Sequence, residues 1–265
     1  MISKSRAAAA VVTAVVLISV APMIWSDGAD ANAAEVKILS ANGVRAILGD
    51  LAGEFERTTG NKVTISYGEA GEIRKRVQDG ETFDVTVLPM PVLEELLKQG
   101  KIAPASTANV ARTTFGIGVR TGAPKPDISS VDAFRRSLLT AKSIVITDPA
   151  TGGVSGVHFA GVLQRLGIAE EIKPKLKLNK GSYNAEFVAK GEAEIAVQGD
   201  HEIRCVPGVE FVPLPPEFQR TIVFAAALGT SAQEPEASRI LIRFLSGPAA
   251  APVIEAKCME PAASK

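Results

Sequence analysis

The sequence predicts an α/β protein of two lobes, with mainly parallel sheets and two crossovers joining the lobes, and three observations carry that prediction. Strand-like and helix-like apolar patterns alternate from Val36 onward. Glycines and prolines punctuate their boundaries. Two apolar runs, Thr113 to Val119 and Thr221 to Leu228, break the regular alternation where the chain passes between lobes.

Ahead of the first strand, Lys4 and Arg6 precede the uncharged run Ala7 to Val20, and Ala31-Asn32-Ala33 carries the small-x-small pattern read by signal peptidase. Residues 1–33 are expected to be a leader cleaved near Ala33, which places the mature chain in the periplasm. Asp27 and Asp30 end the apolar stretch soon after Trp25, so removal is favoured over a retained anchor.

Val36 to Leu39 reads as a buried strand. Val44, Ile47, Leu48, Leu51, Ala52 and Phe55 then keep the spacing of an amphipathic helix that Gly60 stops. Val63 to Ser66 is the next strand, Ala70 to Val77 the next helix and Val85 to Leu88 the third strand. Pro91 opens a helix that Gly100 closes. After Thr113 to Val119, Ser129 and Asp132 suggest a capping box for a helix bearing Val131, Phe134 and Leu138. Ile144 to Thr147 is a strand, and Phe159, Val162, Leu163 and Leu166 mark a helix ended by Gly167. Ser182 is placed to cap another helix, before a strand at Glu194 to Val197. The last strand is Thr221 to Leu228. A helix with Ala237, Ile240, Leu241, Phe244 and Leu245 follows, then a shorter one opening at Pro248. The expected division is 34–117 with 222–265 as lobe 1, and 118–221 as lobe 2.

Lys plus Arg and Asp plus Glu each number 29, so no basic footprint for nucleic acid or an anionic membrane is present. A monomer without cofactor is expected. Cys205 and Cys258 leave two readings open, a bridge or two separate thiols, and lack metal-site spacing.

Ligands of open α/β sheets sit at the carboxyl ends of the strands. Here these ends carry Ser40-Ala41-Asn42-Gly43, Tyr67 to Gly71, Leu88-Pro89, Thr147 to Gly156 and Gln198-Gly199. Several are Gly-rich where a helix begins, so free N–H groups and the helix dipole offer an anion site without Lys or Arg. Each of these residues also has a purely structural role available, as N-cap, turn or close-packing glycine.

Val36 to Gly43, Phe83-Asp84-Val85, Asp148-Pro149 and Ser155-Gly156 together resemble the molybdate-type periplasmic substrate-binding proteins of ABC importers, which have the two-lobed type II periplasmic binding protein fold. The resemblance implies a non-enzymatic receptor that closes on a small oxyanion and delivers it to an inner-membrane permease. It implies ligand contacts at Ser40, Asn42 and Gly43, at Ala70 and Gly71, at Ser155 and Gly156, and at Asn184 and Gln198. Three departures bear on the ligand: Glu69-Ala70-Gly71 where the family offers a serine, the Leu88-Pro89 ending, and Gln198 in place of a tyrosine. They leave molybdate, sulfate-like, phosphonate-like and small carboxylate ligands open. A periplasmic sensor subunit uses the same fold.

A hydrolase reading of Ser155, His158 and Asp148 is weak, because Val157 stands where a nucleophile elbow needs glycine. Asp200-His201-Glu202 is a weaker metal candidate than a solvated loop. Arg45, Arg74 and Arg76 are expected in solvent-facing pairs.

Overall fold

Residues 33–181 and 183–262 are described by the structure, a computed structural model. The expected leader and the cap expected of Ser182 lie outside them. Strand β1 (Glu35–Ala41) buries Val36, Ile38 and Leu39. A 3-10 turn over Asn42–Val44 leads into α1 (Arg45–Thr59), whose buried face is Ile47, Leu48, Leu51, Ala52 and Phe55, as its spacing predicts. Gly60 caps it at φ 76°, a left-handed conformation that glycine adopts without strain. There follow β2 (Lys62–Gly68), α2 (Ala70–Gln78), β3 (Val85–Pro89) and α3 (Met90–Lys98).

The long β4 (Ala108–Arg120) starts five residues before the predicted run. Helix α4 (Val131–Thr140) is capped by Ser130, whose hydroxyl accepts from the Ala133 N–H at 3.1 Å. The cap expected at Ser129 is thus displaced by one residue, because the helix begins at Val131. The chain continues through β5 (Ile144–Thr147), α5 (Val154–Arg165), α6 (Ala169–Ile172), β6 (Leu176–Asn179), α7 (Asn184–Ala189), β7 (Ile195–Gly199), α8 (Asp200–Arg204) and β8 (Val209–Pro213). It ends with β9 (Thr221–Leu228), α9 (Pro235–Ser246), α10 (Ala251–Ala256) and β10 (Glu260–Pro261).

The strands run in the order β2-β1-β3-β9-β4-β7-β5-β6, with β8 and β10 also paired to β4. The pairs β1–β2, β1–β3, β5–β6 and β5–β7 are parallel. The pairs involving β4, and β3–β9, are antiparallel. The sheet is therefore mixed rather than mainly parallel, because β4 and β9 run against their neighbours. Residues Ala108 to Thr114 of β4 pair with β9, while Phe115 to Gly118 pair with β7. One strand thus carries the chain from the first sheet region into the second. It returns through the proline-rich stretch between β8 and β9. Strand β10 pairs with Ala111 and Arg112, which brings the C-terminal helices back to the first region.

Apolar burial of α1 and α9 on that region includes Phe55 and Phe244, with ring centroids 5.8 Å apart. Asp84 is 1% exposed and links three segments there. Its Oδ1 accepts from the N–H groups of Gln233 and Glu234 at the start of α9, and its Oδ2 from the N–H of Lys37.

Candidate ligand-binding site

The carboxyl ends of β1, β2, β5 and β7 converge on a small cavity of ≈ 40 Å³. That is room for about three water-sized groups. Its walls include Asn42, Gly43, Glu69, Ala70, Thr113, Thr147, Ser155, Gln198, His201 and Glu202, and no Lys or Arg. Three helical segments begin at the wall: the 3-10 turn leading into α1, then α2 at Ala70 and α5 at Val154. Their first-turn N–H groups have no intrahelical partner, and their dipoles place partial positive charge at the cavity.

Two carboxyl groups oppose that charge. Glu202 accepts from Gln198 Nε2 at 2.9 Å on Oε1 and from the Gly199 N–H at 3.0 Å on Oε2. Burial pushes its pKa up to about 8. The Gly199 and Gln198 hydrogen bonds work against that rise, and the nearby Glu69 adds to it. Glu202 therefore holds its proton at neutral pH. The surface it keeps accessible includes its face on the cavity. Glu69 is raised as well, chiefly by burial, although Asn42 Nδ2 donates to its Oε1 at 3.0 Å.

His201 is 4% exposed. Its Nε2 lies 2.8 Å from the carbonyl of Gly43, which can only accept, so Nε2 carries the proton. Nδ1 then faces the Thr113 hydroxyl at 3.0 Å. Burial depresses the ring to about 4, so it is neutral at neutral pH. The expectation of a solvated loop here is corrected: α8 turns His201 inward while Asp200 pairs with Arg204. Among the described residues no group of three or more His, Cys, Asp or Glu is arranged to hold a metal ion.

The site is closed by contacts between the two sheet regions. His201, from the second, bonds Gly43 in the first. The Gly71 N–H donates to the Gly152 carbonyl at 3.2 Å. A Cβ on Gly71 would stand 2.8 Å from the Gly152 Cα, so this approach requires glycine.

The sequence matches the family model described as bacterial extracellular solute-binding protein over residues 36–260. The chain belongs to that family. It is 31% identical over 231 residues to an aconitate isomerase from Pseudomonas sp., covering 84% of this chain and 87% of the relative. It is 29% identical over 232 residues to the molybdate-binding protein ModA of Azotobacter vinelandii, covering 85% and 90%. The solved Azotobacter vinelandii periplasmic molybdate-binding protein superposes with a TM-score of 0.69 at 22% identity, covering 84% of this chain and 98% of that one. The fold is therefore the two-lobed type II periplasmic binding protein fold, and the chain is a solute-binding protein of the ABC-transporter kind. No helix among the described residues is long and apolar enough to cross a membrane.

Of the residues marked out in the sequence, this solute-binding protein brings Asn42, Gly43, Ala70, Ser155 and Gln198 together on the cavity wall. Ser40 is fully buried, with its hydroxyl donating to the carbonyls of Ala41 and Val87 at 3.2 and 3.5 Å, and is not among the lining residues. Gly71 meets Gly152 instead of the cavity. At Gly156 a Cβ would come within 2.0 Å of the Thr147 carbonyl, so this glycine lets α5 pack against β5. Asn184 is fully buried, and it donates its N–H to Gln198 Oε1 at 2.6 Å and its Nδ2 to the Val197 carbonyl at 2.8 Å.

Ser155 pairs with Thr147 at 3.1 Å, whereas His158 Nε2 bonds the Phe218 carbonyl at 2.8 Å and its ring stacks on Phe115. No serine–histidine pair forms. Glu202, His201, Thr113 and Thr147 complete the wall. The sequence had marked Thr147 as the end of a strand, and His201 and Glu202 only as part of a weak metal candidate.

Proposed function

We propose that residues 34–117 with 222–265 form one lobe and 118–221 the other, and that they close on a small carboxylate bound together with a proton. The receptor then hands this ligand to an inner-membrane ABC permease. What carries the reading is Glu202, its pKa raised to about 8 by burial, on the wall of a small cavity that it shares with Glu69, helix N-termini, hydroxyls and apolar side chains and with no Lys or Arg. In its acid form Glu202 donates to a ligand oxygen. The first-turn N–H groups of α5, those of α2 other than Gly71, and the Ser155 hydroxyl supply the remaining donors. Each hydrogen bond to the charged ligand contributes roughly 1.5–3 kcal/mol. A tetraoxo dianion such as molybdate would need both Glu69 and Glu202 protonated, whereas a monocarboxylate needs Glu202 alone.

Calorimetric titration of the mature chain with acetate, glyoxylate and molybdate between about pH 6 and 9 tests this. The expected result is carboxylate binding whose affinity falls about tenfold per pH unit above about 8, with uptake of one proton. Tighter binding of molybdate, without proton uptake, would overturn it.

A second reading is favoured by the same pair of carboxyls and by the aconitate isomerase relative. One ionised carboxylate accepts a proton from a ligand carbon while the other, as the acid, returns one to a second carbon, and the double bond moves between them. A tricarboxylate exceeds a cavity of this size, so turnover requires the two regions to stand further apart. Incubation of the chain with aconitate, followed by proton NMR, decides this reading. Conversion that Glu202→Gln abolishes supports it, and no conversion removes it.

A further inference from the structure

Beside the cavity, and sharing Ala70, Val154 and Ile222 with it, lies a larger groove of about 500 Å³. One wall comes from α2 and the start of α3, in the first sheet region. The other comes from α5, in the second. Arg74, Arg165 and Arg220 all line it, and no Asp or Glu does. Arg74 pairs at one side with Glu95 at 3.0 Å, yet its Nε is buried without a hydrogen-bond partner. Arg165 rests on the Phe218 ring and donates to the carbonyl of Glu217, and has no ion pair among the described residues. Arg220 has no ion pair among the described residues. Burial lowers the pKa of His158, the positive charges of Arg220 and Arg165 add to that, and all three residues line the groove. Between the arginines the floor is apolar, made by Pro91, Val92, Val157 and Val162.

Three guanidiniums on the walls of one groove, with no acid among its lining residues, are a poor arrangement for an empty surface and a good one for an anion. Guanidinium forks match carboxylates two hydrogen bonds at a time, and an apolar floor suits the carbon skeleton that joins them. We propose that this groove is a second anion site, which takes a small organic molecule bearing two or more carboxylates. Its walls come from both sheet regions, so the site is complete only in the closed chain, and its occupant favours closure whichever ligand fills the inner cavity.

Citrate is a suitable probe, with titrations run at constant ionic strength so that screening is held fixed. The wild-type chain is expected to bind it saturably and to gain thermal stability. Arg220→Ser and Arg74→Lys are each expected to weaken it at least tenfold; the second keeps the charge and removes the fork. Arg136→Ser, at an exposed cation on α4 outside the groove, and Glu202→Gln, in the inner cavity, are expected to leave citrate affinity unchanged. Ligand-free melting of each variant separates lost binding from lost folding. Absence of saturation, or an effect that sodium chloride reproduces, overturns the proposal. Loss of citrate binding in Glu202→Gln places citrate in the inner cavity and overturns it too. Arginine variants that impair uptake by cells while binding citrate normally make the groove a permease-facing surface, which also overturns it.

Discussion

Glu202 and His201 are neighbours in sequence and opposite in their response to burial, which makes the pH dependence of stability a direct readout of the site. The Glu202 carboxyl is held at about 8 against an ordinary 4.5. Between those values the folded chain keeps a proton that the unfolded chain has lost, so stability falls as pH rises through the window. His201 is held at about 4 against 6.5, so the unfolded chain takes up a proton that the folded chain refuses, and stability falls as pH drops through that window. The two slopes cancel where the windows overlap, leaving a plateau on the acid side of neutrality. Urea unfolding of Glu202→Gln is expected to cross the wild type. The variant loses about 1 kcal/mol at acid pH, because its amide presents an N–H to the Gly199 N–H. Above about pH 6 it is the more stable, because the wild type loses stability through the Glu202 window and the amide does not. Parallel curves would show that Glu202 does not titrate in this window.

At the level of elements, closure depends on how near α2 and the turn before α5 approach. Gly71 and Gly152 meet backbone to backbone, and Gly152 is also left-handed at φ +73°. Gly71→Ala is expected to weaken ligand binding at least tenfold while leaving the melting temperature of the ligand-free chain within a degree or two. The clash arises only when the regions close, so stability and affinity separate. An equal loss of both would assign the contact to the ground state of the fold. Asp84 is the converse case, a group serving folding and not the ligand. Asp84→Ala strands the N–H groups of Gln233, Glu234 and Lys37 and is expected to cost about 2–4 kcal/mol in unfolding experiments, with affinity intact. The apolar periodicity of α1, the caps at Gly60 and Gly100, and the whole of β9 were legible because local chemistry dictates them. The short α8 and β8 were not, since their charged residues break the apolar run that marks the equally short β3 and β7. The site divided along the same line. Asn42, Gly43, Ala70, Ser155 and Gln198 follow from strand ends, whereas the inward turn of His201 is set by Gly43 and Thr113, which are remote in sequence.

Across the whole molecule, the two cysteines that sequence left undecided sit where they can act on the hinge. Cys205 caps the end of α8 in the second region, and Cys258 lies between α10 and β10, whose partner is the first half of β4. Their Sγ atoms are 2.9 Å apart, both residues are exposed, and 53 positions separate them along the chain. In an oxidising compartment the pair is expected to form a disulfide, which closes a loop worth roughly 4 kcal/mol of unfolded-state entropy. Such a bridge ties the two regions together near the crossover strand and restrains opening. Alkylation and mass spectrometry of protein exported to the periplasm should find no free thiol. Reduction should then lower the melting temperature and speed ligand release, because the open form gains freedom that the bridge removes. Cys258→Ser should reproduce both changes without reductant. Free thiols in the exported protein, or release kinetics indifferent to reduction, would show that the pair lies beside the hinge without restraining it.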